Sequence, residues 1–395
     1  MKRILFYSEN FCGDKIKGGL EVATFRIAKT LKDSGKWEIY NAFRSKSDGR
    51  DKCIYSDVVK LSKSDLKFRK ELAEFISKNK IDVVVNMSRF FRHSHIVKAA
   101  KDSGRNVKIV FMQHFAPGSE MKKPTFSSGF HLLKLNPFNP LYWLRSTVYP
   151  LLKLPRRLKF GEIYKDTYND SDKVILLSEG YKNDYGRIGK FTDQSKFIAI
   201  PNIYESDLIV TCRKPTKEKR VLILSRMDEI QKRMSLALKV WSIIEKDPEL
   251  KNWHLDIVGS GHNTDIVKRL IKRYKLKNVM YHGWQPREEF LRNSSILIST
   301  SEYEGLPLAI LEAQAYGVVP IAFDSYSSLK DVVEDGYNGV VVEKFGDCTE
   351  YANKLARLMK DDELRHEIAA NAMDSSSRFS SEKIGSQWLE MLEKL

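Results

Sequence analysis

The sequence lacks any long stretch without charged residues. No uncharged run among its 395 residues exceeds eleven residues, whereas a membrane-spanning helix needs about 20 apolar residues. We therefore expect no segment that crosses a bilayer. At the start of the chain only the five residues Ile4 to Ser8 separate Arg3 from Glu9, which predicts a buried first strand and not a secretion signal. These absences predict a cytoplasmic protein.

Cysteine is also scarce. The chain has four cysteines, far apart in the sequence, so neither a zinc site nor a disulfide framework is expected: Cys12, Cys53, Cys212 and Cys348. The triplet Asp170-Ser171-Asp172 could hold a divalent metal on a diphosphate. It precedes a predicted strand of the first half, however, where hydrogen bonds within a turn fit better. We expect no catalytic metal and no cofactor.

Acidic residues number 51 against 67 lysines and arginines, and the net charge is +16. Such an excess favours an anionic partner, which could be a nucleic acid, an acidic lipid surface or a phosphorylated small molecule. Half of the excess lies in the segment 121–165, which has nine basic residues and Glu162 as its one acidic residue. Aromatic rings and leucines lie between these cations, as is typical of a membrane interface, although an insertion that packs its rings inward has the same composition.

Short β-branched runs alternate with amphipathic stretches along the chain. This rhythm predicts parallel sheets with helical connections. The first series of predicted strands comprises residues 4–8, 37–43, 82–87, 107–113, 173–178 and 196–202. The second series, after a charged connector at 212–220, comprises residues 221–225, 253–259, 278–283, 296–300 and 318–324.

The two series predict an α/β protein with two doubly wound, Rossmann-like domains. We expect an N-terminal domain over residues 1–205 and a C-terminal domain over residues 206–379. The last helical stretch, about 380–395, has an apolar face that includes Ile384 and Trp388 and must pack against another element. We expect it to return to the first domain.

The stretch EYEGLPLAILEAQAYGVVP, residues 302–320, has the features of an anion site. A strand ends before it, and Pro307 fits the first position of a helix, where no N–H group is needed. The amide groups from Leu306 to Ala309, among them that of Leu308, would then point at a bound anion together with the helix dipole. Gly305 would let a phosphate approach the backbone.

Two glutamates, Glu304 and Glu312, border this predicted phosphate site. Carboxylates beside an anion would repel it, so we expect them to accept hydrogen bonds from neutral groups, such as sugar hydroxyls, further along the ligand. A nucleotide sugar has one sugar at each end of its diphosphate. The alternative is a helix-start glutamate favoured by the dipole and a second one on the helix surface.

These residues resemble a known family motif. Glu304-Gly305-x-Pro307, Glu312-Ala313 and Gly317-x-x-Pro320 are similar to the glutamate-x7-glutamate motif of retaining glycosyltransferases of family GT4. The resemblance extends over about 219–345 and is supported by GGLEVATFRIAKTL at 18–31. It implies the GT-B architecture, in which two Rossmann-like domains face a central cleft.

The resemblance implies roles for two cations and a histidine. Arg226 and Lys232 match the family pair that binds the donor diphosphate, although Ser225 stands where the family usually has glycine. Fixed cations suit metal-free transfer, because negative charge develops on the leaving phosphate. His114 resembles the family histidine near the reacting sugar carbon. In so basic a chain, surface charges and a structural histidine are the alternatives.

Several other residues belong to the predicted donor site. Gly18 and Gly19 close the loop after the first strand, which in this family faces the donor phosphates and the acceptor. Gly259 ends a strand of the second series, and Trp284 follows another, so both would lie beside the nucleotide base. Turns at strand ends also use glycine without any ligand.

The expected function is the retaining transfer of a hexose or N-acetylhexosamine from a nucleotide sugar, UDP-linked, to a glycan in cell-surface polysaccharide synthesis. The acceptor would be a lipid-linked glycan, and residues 121–165 would contact the inner face of the plasma membrane. Alternatives are a nucleotide-sugar epimerase or a phosphorylase of the same fold, a sugar-nucleotide binder without activity, and a basic nucleic-acid-binding protein. For the last of these, no zinc knuckle, RNA-recognition signature or helix-turn-helix is evident.

Overall fold

The structure, a computed structural model, describes most of the chain. The described residues are 1–13, 19–45, 54–122, 126–135, 137, 143, 153–204 and 217–395. The chain divides into two compact units. The first comprises Met1–Gly118, Pro155–Glu205 and Phe379–Leu395, and the second comprises Ser119–Leu154 and Ser206–Arg378.

The first unit is built on a parallel sheet, whose described strands run in the order β3-β2-β1-β4-β5-β6-β7. Its central strands consist almost entirely of buried apolar residues, as expected for parallel strands covered on both faces. The strands are β1 (Lys2–Tyr7), β2 (Trp37–Phe43), β3 (Asp57–Lys60), β4 (Val83–Asn86), β5 (Lys108–Gln113), β6 (Lys173–Leu176) and β7 (Phe197–Ala199).

Helices connect these strands. They are α1 (Gly19–Asp33), α2 (Asp65–Lys78), α3 (His93–Asp102), α6 (Lys153–Asn169) and α7 (Gly180–Gly189). The C-terminal helix α16 (Ser381–Glu393) also belongs to this unit. It packs against α1, and its fully buried Trp388 lies 6.3 Å from the ring of Phe6. Gly385 makes this packing close, because a Cβ there would lie 2.4 Å from Thr30 Cγ2.

The second unit has a parallel sheet of the order β10-β9-β8-β11-β12-β13. The order reverses between β8 and β11, which are neighbours in the sheet although two strands separate them in the sequence. In open α/β sheets, ligands bind outside the carboxyl ends of strands at such a point. The strands are β8 (Arg220–Leu224), β9 (His254–Val258), β10 (Val279–Gly283), β11 (Ile296–Ser299), β12 (Val319–Phe323) and β13 (Val340–Val342).

The helices of the second unit vary in length from one turn to four turns. They are α4 (Ser119–Lys122), α5 (Phe126–Leu135), α8 (Glu229–Lys232), α9 (Met234–Ile244), α10 (Thr264–Arg273), α11 (Glu288–Asn293), α12 (Leu308–Ala315), α13 (Leu329–Val332), α14 (Cys348–Lys360) and α15 (Asp362–Ser376). Apolar side chains of α9, α10 and α14 form one core with those of β8, β9, β11 and β12.

One segment differs from the expected domain boundary. We predicted a first domain over residues 1–205, but Ser119–Leu154 groups with the second unit. The physical reason is visible in α5, where Leu132 and Leu133 are buried in the core of the second unit beside Met227 and Ile230. The apolar face of α5 packs against residues nearly 100 positions later in the chain, so the helix belongs to the unit that buries this face.

The predicted α/β class with two doubly wound parallel sheets is confirmed. Among the described residues, no helix is both long enough and apolar enough to cross a membrane.

Candidate active site

The site forms where β8 and β11 end side by side. These strands pair in parallel, Ile296 opposite Val221 and Leu297 opposite Leu222, so the chain leaves both strands at the same edge of the sheet. The loop after β8, residues 225–233, therefore meets the loop after β11, residues 300–307. Parallel pairing thus brings together two motifs that are about 70 residues apart in the sequence.

The loop after β8 is held by its own side chains. The carboxylate of Asp228 accepts hydrogen bonds from the N–H groups of Ile230 and Gln231, at 3.1 and 3.3 Å, and so caps the short helix α8. The helix ends at Arg233, which adopts a left-handed conformation with φ 50°. This tight turn fixes the direction in which Lys232 leaves the backbone.

Polar contacts join the two loops. Thr300 Oγ1 lies 2.9 Å from the carbonyl oxygen of Lys232, and the N–H of Glu302 donates to the carbonyl of Gln231 at 2.7 Å. Arg233 forms an ion pair with Glu302, with 2.7 Å between Nε and Oε2. The loops are therefore one structural element, and the left-handed strain at Arg233 is offset by its own ion pair.

The predicted residues Lys232 and Glu304 meet at the centre of this element. Lys232 Nζ and Glu304 Oε1 form an ion pair, and the two side chains are 18% and 11% exposed. Gln231 Nε2 donates to the other carboxylate oxygen at 3.1 Å. Arg226 lies at the rim, where Nη2 is 3.0 Å from Gln231 Oε1. The ammonium of Lys232 thus compensates the nearly buried charge of Glu304.

A small cavity adjoins this ion pair. It is lined by the ends of β8 and β11, by Lys232 and Glu304, and by the start of α12 from Pro307 to Ile310. One wall therefore carries a cation, and another carries the positive end of a helix dipole. Both favour an anionic group in the cavity.

The start of α12 differs in detail from the prediction. Pro307 is not the first helical residue but the cap before it, with φ −78° and ψ 76°. These angles are those of an inverse γ-turn, closed by a 2.9 Å hydrogen bond from the N–H of Leu308 to the carbonyl of Leu306. The N–H of Leu308 therefore already donates a hydrogen bond within the protein. The amide of Ala309, in the first turn, is the one that can be offered to an anion.

Glu312 lies one turn further along α12 and is buried. Its carboxylate forms an ion pair with Arg287, with 2.5 Å between Oε1 and Nη1. Each glutamate of the motif thus has a basic partner on a different loop. Arg287 was not predicted, because it lies 25 residues before Glu312 in a stretch without a recognised motif.

Glycine is required where the end of β9 approaches the loop after β8. Gly259 has φ +131°, and a Cβ there would lie 1.9 Å from the carbonyl oxygen of Ser225. A Cβ at Gly261 would lie 2.5 Å from the carbonyl oxygen of Met227. These glycines therefore let the β9 end pack on the Arg226 loop. Trp284, which follows β10, is 58% exposed.

The remaining predicted residues lie in the first unit. His114 follows β5 directly, and neither of its ring nitrogens has a hydrogen-bond partner in the described part of the chain. Burial lowers the pKa of His114 to about 4, so the imidazole is neutral at pH 7. Gly19 is the first residue of α1, whereas Gly18 lies outside the described residues.

The triplet at residues 170–172 has structural partners. Asp172 accepts a 2.8 Å hydrogen bond from the N–H of Ile109 and lies 3.1 Å from Lys108 Nζ, at the start of β5. Ser171 donates to the carbonyl of Thr167 at 2.7 Å. Within the described ranges, no group of three or more histidine, cysteine, aspartate or glutamate side chains could hold a metal ion.

Comparison with known proteins identifies the class. Residues 209–375 match the family model "Glycosyl transferases group 1", a range that contains the whole cavity and both of its loops. The resemblance expected from the motifs is confirmed over this range, which is similar to glycosyl transferases group 1.

Known proteins of similar sequence are named as glycosyltransferases. The chain is 27% identical over 242 residues to the poly(glycerol-phosphate) alpha-glucosyltransferase of Bacillus subtilis, which covers 60% of this chain and 35% of that protein. It is 29% identical over 239 residues to the amylovoran biosynthesis glycosyltransferase AmsD of Erwinia amylovora, and the match covers 57% of this chain and 63% of that protein. It thus spans between a third and two thirds of the length of these two relatives.

A third relative is matched over more of its length. It is the GalNAc-alpha-(1->4)-GalNAc-alpha-(1->3)-diNAcBac-PP-undecaprenol alpha-1,4-N-acetyl-D-galactosaminyltransferase of Campylobacter jejuni, 24% identical over 308 residues, which are 78% of this chain and 80% of that one.

Solved structures show the fold. HepE of Anabaena, crystallised with UDP-glucose, superposes with a TM-score of 0.74 at 17% identity over the full length of both chains. The predicted GT-B class is therefore confirmed.

Proposed function

We propose that the chain is a retaining glycosyltransferase of the GT4 type, which transfers a hexose or N-acetylhexosamine from a UDP-sugar to a glycan. The observation that carries the proposal is the Lys232–Glu304 ion pair beside a cavity at the start of α12. A diphosphate in this cavity would be bound by the ammonium of Lys232 and the amide of Ala309. Because the bound diphosphate would take the ammonium of Lys232 away from Glu304, the Glu304 carboxylate could then accept hydrogen bonds from the transferred sugar.

The site residues supply charge and orientation. In the proposed reaction the acceptor hydroxyl oxygen forms a bond to the anomeric carbon on the face from which the diphosphate leaves, as the carbon–oxygen bond to the phosphate breaks. The acceptor proton passes to the departing phosphate oxygen, so the configuration is retained. Arg226 and Lys232 stabilise the negative charge that develops on that phosphate, and no metal or cofactor takes part.

The acceptor is proposed from the relatives. Their printed names include a poly(glycerol-phosphate) glucosyltransferase, an amylovoran synthesis enzyme and a transferase acting on an undecaprenol-linked glycan. We assign this chain to the same chemistry, the extension of a lipid-linked or polymeric cell-surface glycan. In this proposal the second unit binds the donor, and the first unit binds the acceptor.

Ligand binding and product analysis test the proposal. We expect UDP or a UDP-sugar, and not GDP, to raise the unfolding temperature of the chain by mass action. With a radiolabelled UDP-sugar and a lipid-linked oligosaccharide, the label should move to the glycan with retention of configuration. An epimerised donor without transfer would favour the epimerase alternative. Salt-sensitive binding of random oligonucleotides, with no nucleotide bound, would contradict the proposal.

We also propose peripheral contact with an anionic membrane through residues 121–165. Exposed basic and apolar side chains alternate in the first half of α6, where Leu158 is 61% exposed between the exposed Arg157 and Lys159. Trp143 is 56% exposed. Such mixed surfaces suit the head-group region, in which rings and apolar chains enter the interface and cations meet anionic lipid.

Flotation with anionic vesicles tests this contact. Replacing Lys153, Arg156, Arg157 and Lys159 by glutamate should abolish flotation, because it reverses four charges beside the apolar residues. The matched control reverses four exposed charges at the end of α10 and just after it: Lys268, Lys272, Arg273 and Lys275. If both variants lost flotation equally, the binding would depend only on net charge and not on this segment. Unaltered flotation of the variant in residues 153–159 would contradict the contact.

A further inference from the structure

A carboxylate in the loop after β8 has no place in the proposed reaction. Glu229 is the first residue of α8, three positions before Lys232, and its side chain is fully buried. It points away from the cavity, into the unit. A buried carboxylate is costly unless hydrogen bonds satisfy it, so its partners determine whether the α8 turn is stable.

Three donors satisfy this carboxylate. The N–H of Ser235 donates to Oε2 at 3.0 Å, and the hydroxyl of Ser235 donates to Oε1. The third donor is His131, whose Nε2 lies 2.8 Å from Oε1. In addition, the backbone N–H of Glu229 donates to Asn263 Oδ1 at 2.9 Å. Glu229 is thus the point at which the turn carrying Lys232 is attached to the rest of the second unit.

His131 comes from a distant part of the sequence. It lies on α5, within the basic segment 121–165, and the next two residues, Leu132 and Leu133, are buried in the core of the second unit. The imidazole is therefore brought to Glu229 by the packing of its own helix. Its side chain is 28% exposed, whereas Glu229 is not exposed at all.

We propose that His131 and Glu229 are a positioning pair for the donor site: α5, through His131, holds the α8 turn in the conformation that places Lys232 beside Glu304 and the cavity. The inference rests on the proposed function, since the quantity that it controls is the binding of the donor diphosphate. Neither residue touches the cavity, so both act through Lys232.

The physical argument concerns the rigidity of a four-residue turn. Helix α8 has one turn, and so short a helix does not stabilise itself. On its outer side the turn is held by contacts with the loop after β11, among them the hydrogen bond between Glu302 and Gln231. On its inner side Glu229 is the attachment. Without the His131 donor, the buried carboxylate keeps only Ser235, and the turn can move.

UDP affinity of the purified full chain, measured by titration calorimetry, tests the pair. His131→Ala should raise the Kd for UDP by about tenfold, because one donor to a buried charge is lost. His131→Gln, whose amide can replace Nε2–H as donor, should restore the Kd to within about twofold of the wild type. A mere loss of packing would not be rescued in this way. The Km for the glycan acceptor should not change in either variant.

His95→Ala is the matched control. Its imidazole is 29% exposed and lies 3.6 Å from Asp65, so the same substitution removes a similar contact within the first unit, which does not contain the donor loop. Hydrogen exchange gives a second readout that needs no ligand. Peptides that cover residues 226–235 should exchange faster in His131→Ala than in the wild type, and should be unchanged in His95→Ala.

The outcomes separate the two proposals. If the wild type binds UDP and His131→Ala binds it equally well, with unchanged exchange over residues 226–235, the positioning pair is refuted and the proposed function stands. If the wild type binds neither UDP nor GDP, the proposed function itself is contradicted. If His131→Gln is as impaired as His131→Ala, the hydrogen bond is not the cause, and the inference is overturned.

Discussion

The Lys232→Ala variant is expected to lose transfer activity by a factor of about 10²–10³ and to stay folded. Lys232 supplies the cation in the wall of the cavity, and its removal leaves the developing charge on the phosphate without its main compensation. UDP should also bind more weakly, because in the proposed complex the ammonium contacts the diphosphate before and during transfer. Glu304 keeps its hydrogen bond from Gln231, which limits the loss of stability when the ion pair is removed.

A lysine near the amino-terminal ends of the strands provides the control. Lys360 pairs with Asp247, at 2.8 Å, and Asp247 lies before β9, far from the carboxyl ends of the strands. Lys360→Ala removes the same side chain and two ion pairs, those with Asp247 and Glu249, but should change turnover by less than about twofold, because both pairs lie at the surface. Wild-type turnover in Lys232→Ala would refute the assignment of the donor site.

The Glu304→Gln variant is expected to lower turnover by about 10²-fold while binding UDP at least as tightly as the wild type. Glutamine keeps the size of the side chain but removes the charge that orients the sugar hydroxyls. It also removes an anion next to the diphosphate and frees the ammonium of Lys232. The two variants should therefore shift UDP affinity in opposite directions, which a general loss of structure cannot do.

The control for this variant is Glu218→Gln, an exposed glutamate before β8 that pairs with Arg220 at 2.6 Å. It should leave both turnover and UDP affinity unchanged. The double variant Lys232→Ala/Glu304→Gln gives a further check. Because the two side chains contact each other, their losses should be far from additive. Additive losses, or weaker UDP binding in Glu304→Gln, would contradict the proposed roles.

Sequence periodicity predicted the sheets well and their edges poorly. The stretch WEIYNAF was predicted as a strand over 37–43, and β2 has these bounds. Of the four edge strands, β7 and β10 were predicted, whereas β3 and β13 were not. The expected first domain over residues 1–205 includes α5, whereas Ser119–Leu154 groups with the second unit, because an apolar helix face predicts burial but not the unit in which the helix is buried.

The site was predictable where its residues form a motif and hidden where only the fold joins them. Lys232 and Glu304 were predicted separately, and the pairing of β8 with β11 brings them into contact. Arg287 and His131 were missed, since each contacts its partner, Glu312 or Glu229, from another part of the chain. His131 was given no role because a lone histidine in a basic segment has no distinguishing sequence signal.

A structure of the chain in complex with UDP tests the central claim most directly. We expect the β-phosphate between α12 and α8, with phosphate oxygens about 3 Å from Lys232 Nζ and from the N–H of Ala309. In that complex Lys232 should have moved from Glu304 to the phosphate. UDP bound elsewhere in the chain, with the Lys232–Glu304 ion pair intact, would contradict the account.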